Sequence, residues 1–256
     1  MLKNTIALIP ARYASTRLPA KPLADIAGKS MIQRVYEQTA KAISPERVWV
    51  ATDDERIFGH VSDFGGRAVM THSQHQSGTE RCAEALLLLQ KTIPNIGAVI
   101  NVQGDEPFLE PQQIEELTAA LTYSTAPIAT LIQVIKNEAE LFDTNRPKVV
   151  VDRQQQALYF SRQTVPFLRG MPPEQWLEKQ VFYKHIGLYA YRPDALLQIA
   201  ALPPCPLEQA ESLEQLRWLW AGFAIQTAIT THDSFSVDVP EDVEKAIILA
   251  QKQQSN

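Results

Sequence analysis

Strand-like apolar runs and amphipathic helical stretches alternate through the first half of this chain, and few folds accommodate that rhythm. Thr5 to Pro10 reads as a buried strand, and Ser30 stands where it can cap a helix with the inner face Ile32, Val35, Tyr36, Thr39 and Ile43. Val48 to Ala51 gives a second strand, after which Asp53 is expected to cap a helix carrying Ile57 and Val61. A short strand from Arg67 to Met70, a helix from Thr79 to Gln90, a strand from Ala98 to Val102 and a helix from Pro111 to Leu121 continue the series. Alternation at this pitch predicts an α/β fold in which helices cover both faces of a parallel sheet. In such sheets ligands lie beyond the carboxyl ends of the strands, near the point where strand order reverses. The loops after Ile9, Ala51 and Val102 are therefore where a site is expected.

After a run from Ala129 to Ile135 the pattern loosens. Lys148 to Val151 and Ala157 to Phe160 read as the two strands of a hairpin, followed by a proline-bearing segment from Pro166 to Pro173. This stretch, roughly residues 136–182, is expected to form a small lobe inserted into a single domain spanning 1–256. Within it, Arg169 to Lys179 holds paired prolines and Trp176 and matches no motif with a chemical role. The rhythm returns with a strand from Tyr183 to Tyr191, helices from Pro193 to Ala200 and around Leu213 to Trp220, a strand from Ile225 to Thr230 and a last helix from Pro240.

Two polar features stand out against this frame. The segment IPARYASTRLPAKPL, Ile9 to Leu23, follows the first strand and gathers Arg12, Arg17 and Lys21 among three prolines. Proline stiffens such a loop, and outside a helix these cations have no i,i+4 partners to offset their repulsion. A bound polyanion is the natural counter-charge, with a solvated basic loop as the alternative. The Walker pattern G-x-x-x-x-G-K is absent. The second feature is NVQGDEPF, Asn101 to Phe108, where a strand runs into Gln103, Gly104, Asp105 and Glu106. Its acids suit Mg²⁺, which takes one or two protein carboxylates and fills its remaining positions with water and phosphate, although a turn Asp before a helix-start acid has the same pattern. A cationic loop and a carboxylate on neighbouring strand ends form the two halves of a metal–triphosphate site.

Lys and Arg number 24 against 29 Asp and Glu, a formal charge of −5, which argues against nucleic acid as a partner because phosphate backbones reward cationic surfaces. It leaves room for a small anionic substrate, which a few local cations can hold. The opening apolar run stops at Pro10, too short for a signal segment, and no apolar stretch of membrane-spanning length follows, so no membrane insertion is expected. Two cysteines, Cys82 and Cys205, far apart and outside any metal-binding spacing, read as reduced thiols in a cytoplasmic protein.

Eight ordered blocks together carry a family resemblance: the opening loop, VATDDERI (Val50 to Ile57), HQSGTER (His75 to Arg81), NVQGDEP, YFSR (Tyr159 to Arg162), KHIGLYAY (Lys184 to Tyr191), LEQLR (Leu213 to Arg217) and VDVPEDV (Val237 to Val243). In this order they resemble the 3-deoxy-manno-octulosonate cytidylyltransferases almost from end to end. The opening loop alone is shared in outline with CMP-sialic acid synthetases. The resemblance implies a Rossmann-like nucleotidyltransferase fold, a homodimer, CTP and 3-deoxy-manno-octulosonate (Kdo) as substrates, Mg²⁺ as cofactor and a place in lipopolysaccharide synthesis.

Carried over by motif, Arg12, Arg17 and Lys21 would bind the CTP phosphates, and Asp105 and Asp238 would hold Mg²⁺ against them. Gln103, Ser77, Gly78 and Arg81 would lie near the nucleoside. The residues themselves leave other roles open: Ser77 and Thr79 can cap a helix, and Asp238 before Pro240 can favour a helix N-terminus. On the sugar side the resemblance implies Arg162 as partner of the sugar-acid carboxylate, and His185, Tyr189, Glu214 and Gln215 as hydroxyl ligands. The strand period sends Ile186, Leu188 and Ala190 to one face of KHIGLYAY and His185, Gly187, Tyr189 and Tyr191 to the other. On LEQLRWLW an apolar stripe of Leu213, Leu216 and Trp220 is expected, with Glu214 and Gln215 pointing elsewhere. Two rivals remain at this stage: a cytidylyltransferase for another sugar acid, such as sialic acid, and a non-catalytic nucleotide-binding module.

Overall fold

The computed structural model describes residues 4–14, 18–233 and 235–254 of the chain. Two compact units divide it, one made of Met1–Glu115 with His232–Asn256 and the other of Glu116–Thr231.

In the first unit β1 (Thr5–Ala11) runs through a short ribbon of β2 (Asp25–Ile26) and β3 (Lys29–Ser30) into α1 (Met31–Ala42). There follow β4 (Val48–Thr52), α2 (Glu55–Asp63), β5 (Ala68–Met70), α3 (Gly78–Leu89) and β6 (Ala98–Asn101), and α4 (Pro111–Tyr123) carries the chain into the second unit. The strands stand in the order β6-β1-β4-β5, and each pair is parallel. The expected alternation thus becomes a parallel α/β sheet. Ile6, Ala7, Leu8 and Ile9 are all fully buried, as a strand covered on both faces requires. The connections from β1 to β4 and from β4 to β5 step one way across the sheet, whereas the connection from β5 to β6 steps back. Right-handed crossovers then put α1 and α2 on one face and α3 on the other. The reversal falls between β1 and β6, so the ends of those two strands form the switch point at which ligands bind in open α/β sheets.

Local signals set the helix starts. Ser30 caps α1 by accepting the Gln33 N–H at 3.2 Å, and Ser77 caps α3 by accepting the Glu80 N–H at 3.2 Å. The cap of α2 is Asp54, which accepts the Arg56 N–H at 3.0 Å, and not Asp53 as the sequence reading placed it. Asp54 directly precedes the first helical residue and holds the extended backbone of a cap, leaving Asp53 on the strand end to serve elsewhere.

The second unit contains β7 (Ile128–Val134), α5 (Glu138–Phe142), β8 (Lys148–Val151), β9 (Ala157–Ser161), α6 (Trp176–Lys179), β10 (Tyr183–Tyr191), α7 (Pro193–Ala200), α8 (Pro206–Glu211), α9 (Gln215–Trp220) and β11 (Ile225–Ile229). The expected hairpin is present as the antiparallel pair β8 and β9. Here β11 pairs in parallel with β7, while β10 pairs antiparallel with both β7 and β8. Residues 136–182 lie wholly within this larger unit. The last helix, α10 (Pro240–Gln254), belongs to the first unit, where Ala246 and Ala250 pack with Ile26, Met31 and Val237.

Candidate active site

A cavity of about 260 Å³ opens at the switch point of the first unit. Pro10, Ala11 and Arg12 from the end of β1, Gln103, Gly104 and Asp105 from the end of β6, and Lys21, Ser77, Gly78, Arg81 and Asp238 line it. Most of the nucleotide-side residues expected from sequence are therefore gathered in one place. Arg17 lies outside the described residues.

Lys21 is the centre of this arrangement. Ala20 precedes it in a left-handed turn (φ 56°, ψ 24°), and Lys21 opens a 3₁₀ turn continued by Pro22 and Leu23. Its ammonium donates to Asp105 Oδ2 at 2.8 Å and to Asp238 Oδ1 at 3.1 Å. The lysine is 15% exposed against 27% and 41% for the two acids, so the pair faces outward into the cavity while the stem is covered. Backbone bonds fix both carboxylates in register. The Val237 N–H donates to the Asp105 carbonyl at 2.9 Å, and Asp242 Oδ2 accepts the N–H groups of Asp238 and Val239 at 3.2 and 3.3 Å. Residues more than a hundred positions apart in sequence thereby present two oxygen donors to one cation.

Two glycines shape the wall. A Cβ on Gly78 would meet Pro10 Cγ at 3.2 Å, and one on Gly104 would meet the Pro10 carbonyl oxygen at 3.0 Å. Both positions leave backbone bare beside the cavity, the condition for close approach of a ligand. Ser77 is occupied as the α3 cap. Arg81, 4% exposed, is held by Asp53 Oδ2 at 3.3 Å and donates to Thr71 Oγ1 at 2.7 Å and to the His72 carbonyl at 3.4 Å. The aspartate freed from capping thus anchors an arginine of the cavity wall, a pairing that the sequence reading missed because the partners are distant in the chain.

The sugar-side residues belong to the second unit. Facing Thr130, β10 carries a bulge: Ile186 opposes Leu131 and Tyr189 opposes Thr130, with Gly187 and Leu188 between them unmatched. The bulge keeps His185 and Tyr189 on one face, their rings 5.3 Å apart. His185 Nε2 lies 3.1 Å from Thr130 Oγ1, and Phe160 closes its other side at 5.3 Å between ring centroids. Burial lowers the imidazole to about 3, so it is neutral at physiological pH. Burial raises the Tyr189 phenol, and the charge of Glu214 pushes it the same way, which places that carboxylate within electrostatic reach.

The expected apolar stripe is corrected here, and Arg162 makes its contacts within the chain. Arg162 turns its fork to backbone carbonyls: Nε to Glu211 at 2.6 Å, Nη1 to Thr144 at 3.1 Å and Nη2 to Ser212 at 3.2 Å. It clamps the turn that leads into Glu214 and Gln215. On that helix the buried residues are Gln215, Leu216 and Trp218, with Leu213 buried just ahead of it, whereas Trp220 is 63% exposed. The helix begins only at Gln215, so the stripe is phased by Trp218.

Residues 6–252 match the cytidylyltransferase family, and with the switch-point cavity this defines the chain as a nucleotidyltransferase enzyme. Relatives extend over nearly the whole chain. The 3-deoxy-manno-octulosonate cytidylyltransferase of Cytophaga hutchinsonii is 53% identical over 94% of this chain and 95% of its own length. That of Parabacteroides distasonis is 50% identical over 94% and 96%. The solved structure of a CMP:2-keto-3-deoxy-manno-octonic acid synthetase complexed with CTP superposes with a TM-score of 0.86 at 42% identity, covering 98% of this chain and all of that one. The chain belongs to the 3-deoxy-manno-octulosonate cytidylyltransferase family.

Proposed function

We propose that the protein transfers CMP from CTP to the anomeric hydroxyl of Kdo, releasing pyrophosphate and supplying the activated sugar for lipopolysaccharide synthesis. The observation that carries this reading is the Lys21 ammonium set between Asp105 and Asp238 in the switch-point cavity. In the reaction the C2 hydroxyl oxygen attacks the α-phosphorus of CTP in line with the departing pyrophosphate. One P–O bond forms, one breaks, and the hydroxyl proton is lost to solvent. Lys21 and Arg12 balance the charge that grows on the equatorial and leaving oxygens, a role the sequence motif also implies for Arg17.

The donor set fits Mg²⁺. Two carboxylates already converge on a cation, here the lysine's own ammonium, and their hard oxygens leave the other positions to water and phosphate. When bound, the ion supplies Lewis-acid polarisation of the phosphate and a lowered pKa for the attacking hydroxyl. Gln103, Ser77, Gly78 and Arg81 form the nucleoside wall. His185, Tyr189, Glu214 and Gln215 bind the sugar acid: Thr130 Oγ1 donates to the Leu188 carbonyl at 2.9 Å and so accepts Nε2–H from His185, which leaves Nδ1 of the neutral imidazole as an acceptor for a hydroxyl. Arg162, which also clamps the turn leading into Glu214 and Gln215, is the proposed partner of the sugar-acid carboxylate.

The same reading includes a cytoplasmic homodimer with a lobe near residues 136–182. Free, buried Cys82 and Cys205 suit a reducing compartment, and exposed Leu158, Phe167 and Val181 give that lobe apolar surface for a second copy. Among the described residues no helix is long and apolar enough to cross a membrane. A competition assay with CTP, Mg²⁺, Kdo and a sialic acid tests the reaction. CMP-Kdo and stoichiometric pyrophosphate are expected, and a predominance of CMP-sialic acid would assign the other sugar.

A further inference from the structure

The loop entering α3 forms one wall of the nucleotide cavity, through His75, Gln76 and Ser77, and the first two turns of α3 grip that loop from behind. Glu84 accepts the His72 N–H at 2.8 Å and is hydrogen-bonded to His75 Nε2. Glu80 accepts the Gln76 N–H at 2.8 Å and lies 3.8 Å from His75 Nδ1. Arg81, between them in sequence, holds Thr71 and the His72 carbonyl. Thr71, His72, His75 and Gln76 are thus hooked to the helix that follows them, and among the described residues the His75 imidazole is the only loop side chain that reaches both glutamates. Burial pushes the Glu84 carboxyl up, but the bonds from His75 and the His72 N–H outweigh it and hold the group below the usual carboxylate range.

We infer that His75, locked by Glu84 and steadied by Glu80, is a positioning residue that sets the nucleotide wall and with it the enzyme's affinity and selectivity for CTP. This deepens the function proposed above and rests on it. The wall contributes bare backbone around Ser77 and Gly78, and backbone donors and acceptors distinguish cytosine from uracil only if they are held still. A site built to hydrogen-bond one base rejects the other because its polar groups are then left unpaired, and a loose wall forfeits that difference. Asp105, Asp238 and Lys21 stand on other segments, so loosening the wall leaves the reacting groups in place.

Calorimetric titration of the wild type, His75→Ala, His75→Gln and Glu84→Gln with CTP and with UTP tests this, alongside KM and kcat from pyrophosphate release. A charge-assisted hydrogen bond of ordinary strength corresponds to roughly a tenfold change in affinity. His75→Ala is expected to weaken CTP binding and raise its KM by about that factor, to narrow the CTP over UTP preference, and to leave kcat within about twofold. His75→Gln retains a donor near Nε2 and is expected to recover most of the loss, with Glu84→Gln falling between. Unchanged CTP binding in His75→Ala, or a loss that falls on kcat and that His75→Gln does not relieve, would overturn the inference. A wild type that binds CTP but releases no pyrophosphate with any sugar acid would defeat the proposed reaction, while the binding comparison would still decide the role of His75. A wild type that does not bind CTP would overturn both.

Discussion

The carbonyl oxygen of Pro10 lies where a Cβ on Gly104 would approach it to 3.0 Å, so the ends of β1 and β6 pack at their present spacing because residue 104 has no side chain. The obstructing atom is backbone and cannot rotate away, and the same Cβ would also touch Ile9 Cγ2 at 3.7 Å and Ile32 Cδ1 at 3.8 Å. Gly104→Ala therefore has to part the two strand ends. It is expected to cost about 1–3 kcal/mol in urea unfolding and to weaken CTP binding. Gly59, inside α2 with nothing within 4 Å of its would-be Cβ, provides the contrast: Gly59→Ala is expected to stabilise by about 0.5–1 kcal/mol.

Ala20 sits in the left-handed region with a φ of 56° to present Lys21. An L-residue with a Cβ pays about 1–2 kcal/mol there, part of which is returned through the unfolded chain when glycine replaces it. Ala20→Gly is expected to raise stability by about 0.5–1 kcal/mol, seen as a Tm higher by about 1–4 °C. A lower Tm would show that the turn is not left-handed.

Burial sets the titration of His185. With its folded value at about 3 and its unfolded value near 6.5, the folded state binds fewer protons between those limits. Stability is then full above about pH 6.5 and falls as the pH drops toward 3, at up to about 1.4 kcal/mol per pH unit from this group. Between pH 7 and 5 the wild type is expected to lose about 2 kcal/mol more than His185→Gln in urea unfolding. Equal losses in the two proteins would mean that His185 is not held neutral.

Much of this was legible in the chain. Parallel strands covered on both faces read as unbroken apolar runs, so β1 and β6 and the loops at their ends could be found directly, and Lys21, Asp105 and Asp238 stood in recognisable blocks. What escaped was pairing across distance. In TDDE two adjacent aspartates compete for one cap, and only the packing of Arg81, which sits 4% exposed, decides that Asp53 turns away. A bulge leaves no mark on a period of two, so the Thr130 contact to His185 was invisible. The fork of Arg162 suggested a carboxylate, and its bonds to carbonyls some fifty residues further along the chain went unseen. His75 lay inside a recognised block without a role because nothing in the chain's spacing singles out its partners Glu80 and Glu84.

The central claim is that the Lys21 ammonium between Asp105 and Asp238 belongs to the reacting centre. The direct measurement is pyrophosphate release from CTP and Kdo with Mg²⁺ by Lys21→Ala, after circular dichroism has established that the variant is folded. By analogy with removing one preorganised donor to a developing charge, turnover is expected to fall about 10²- to 10³-fold. A folded Lys21→Ala protein with near-wild-type turnover would contradict the account.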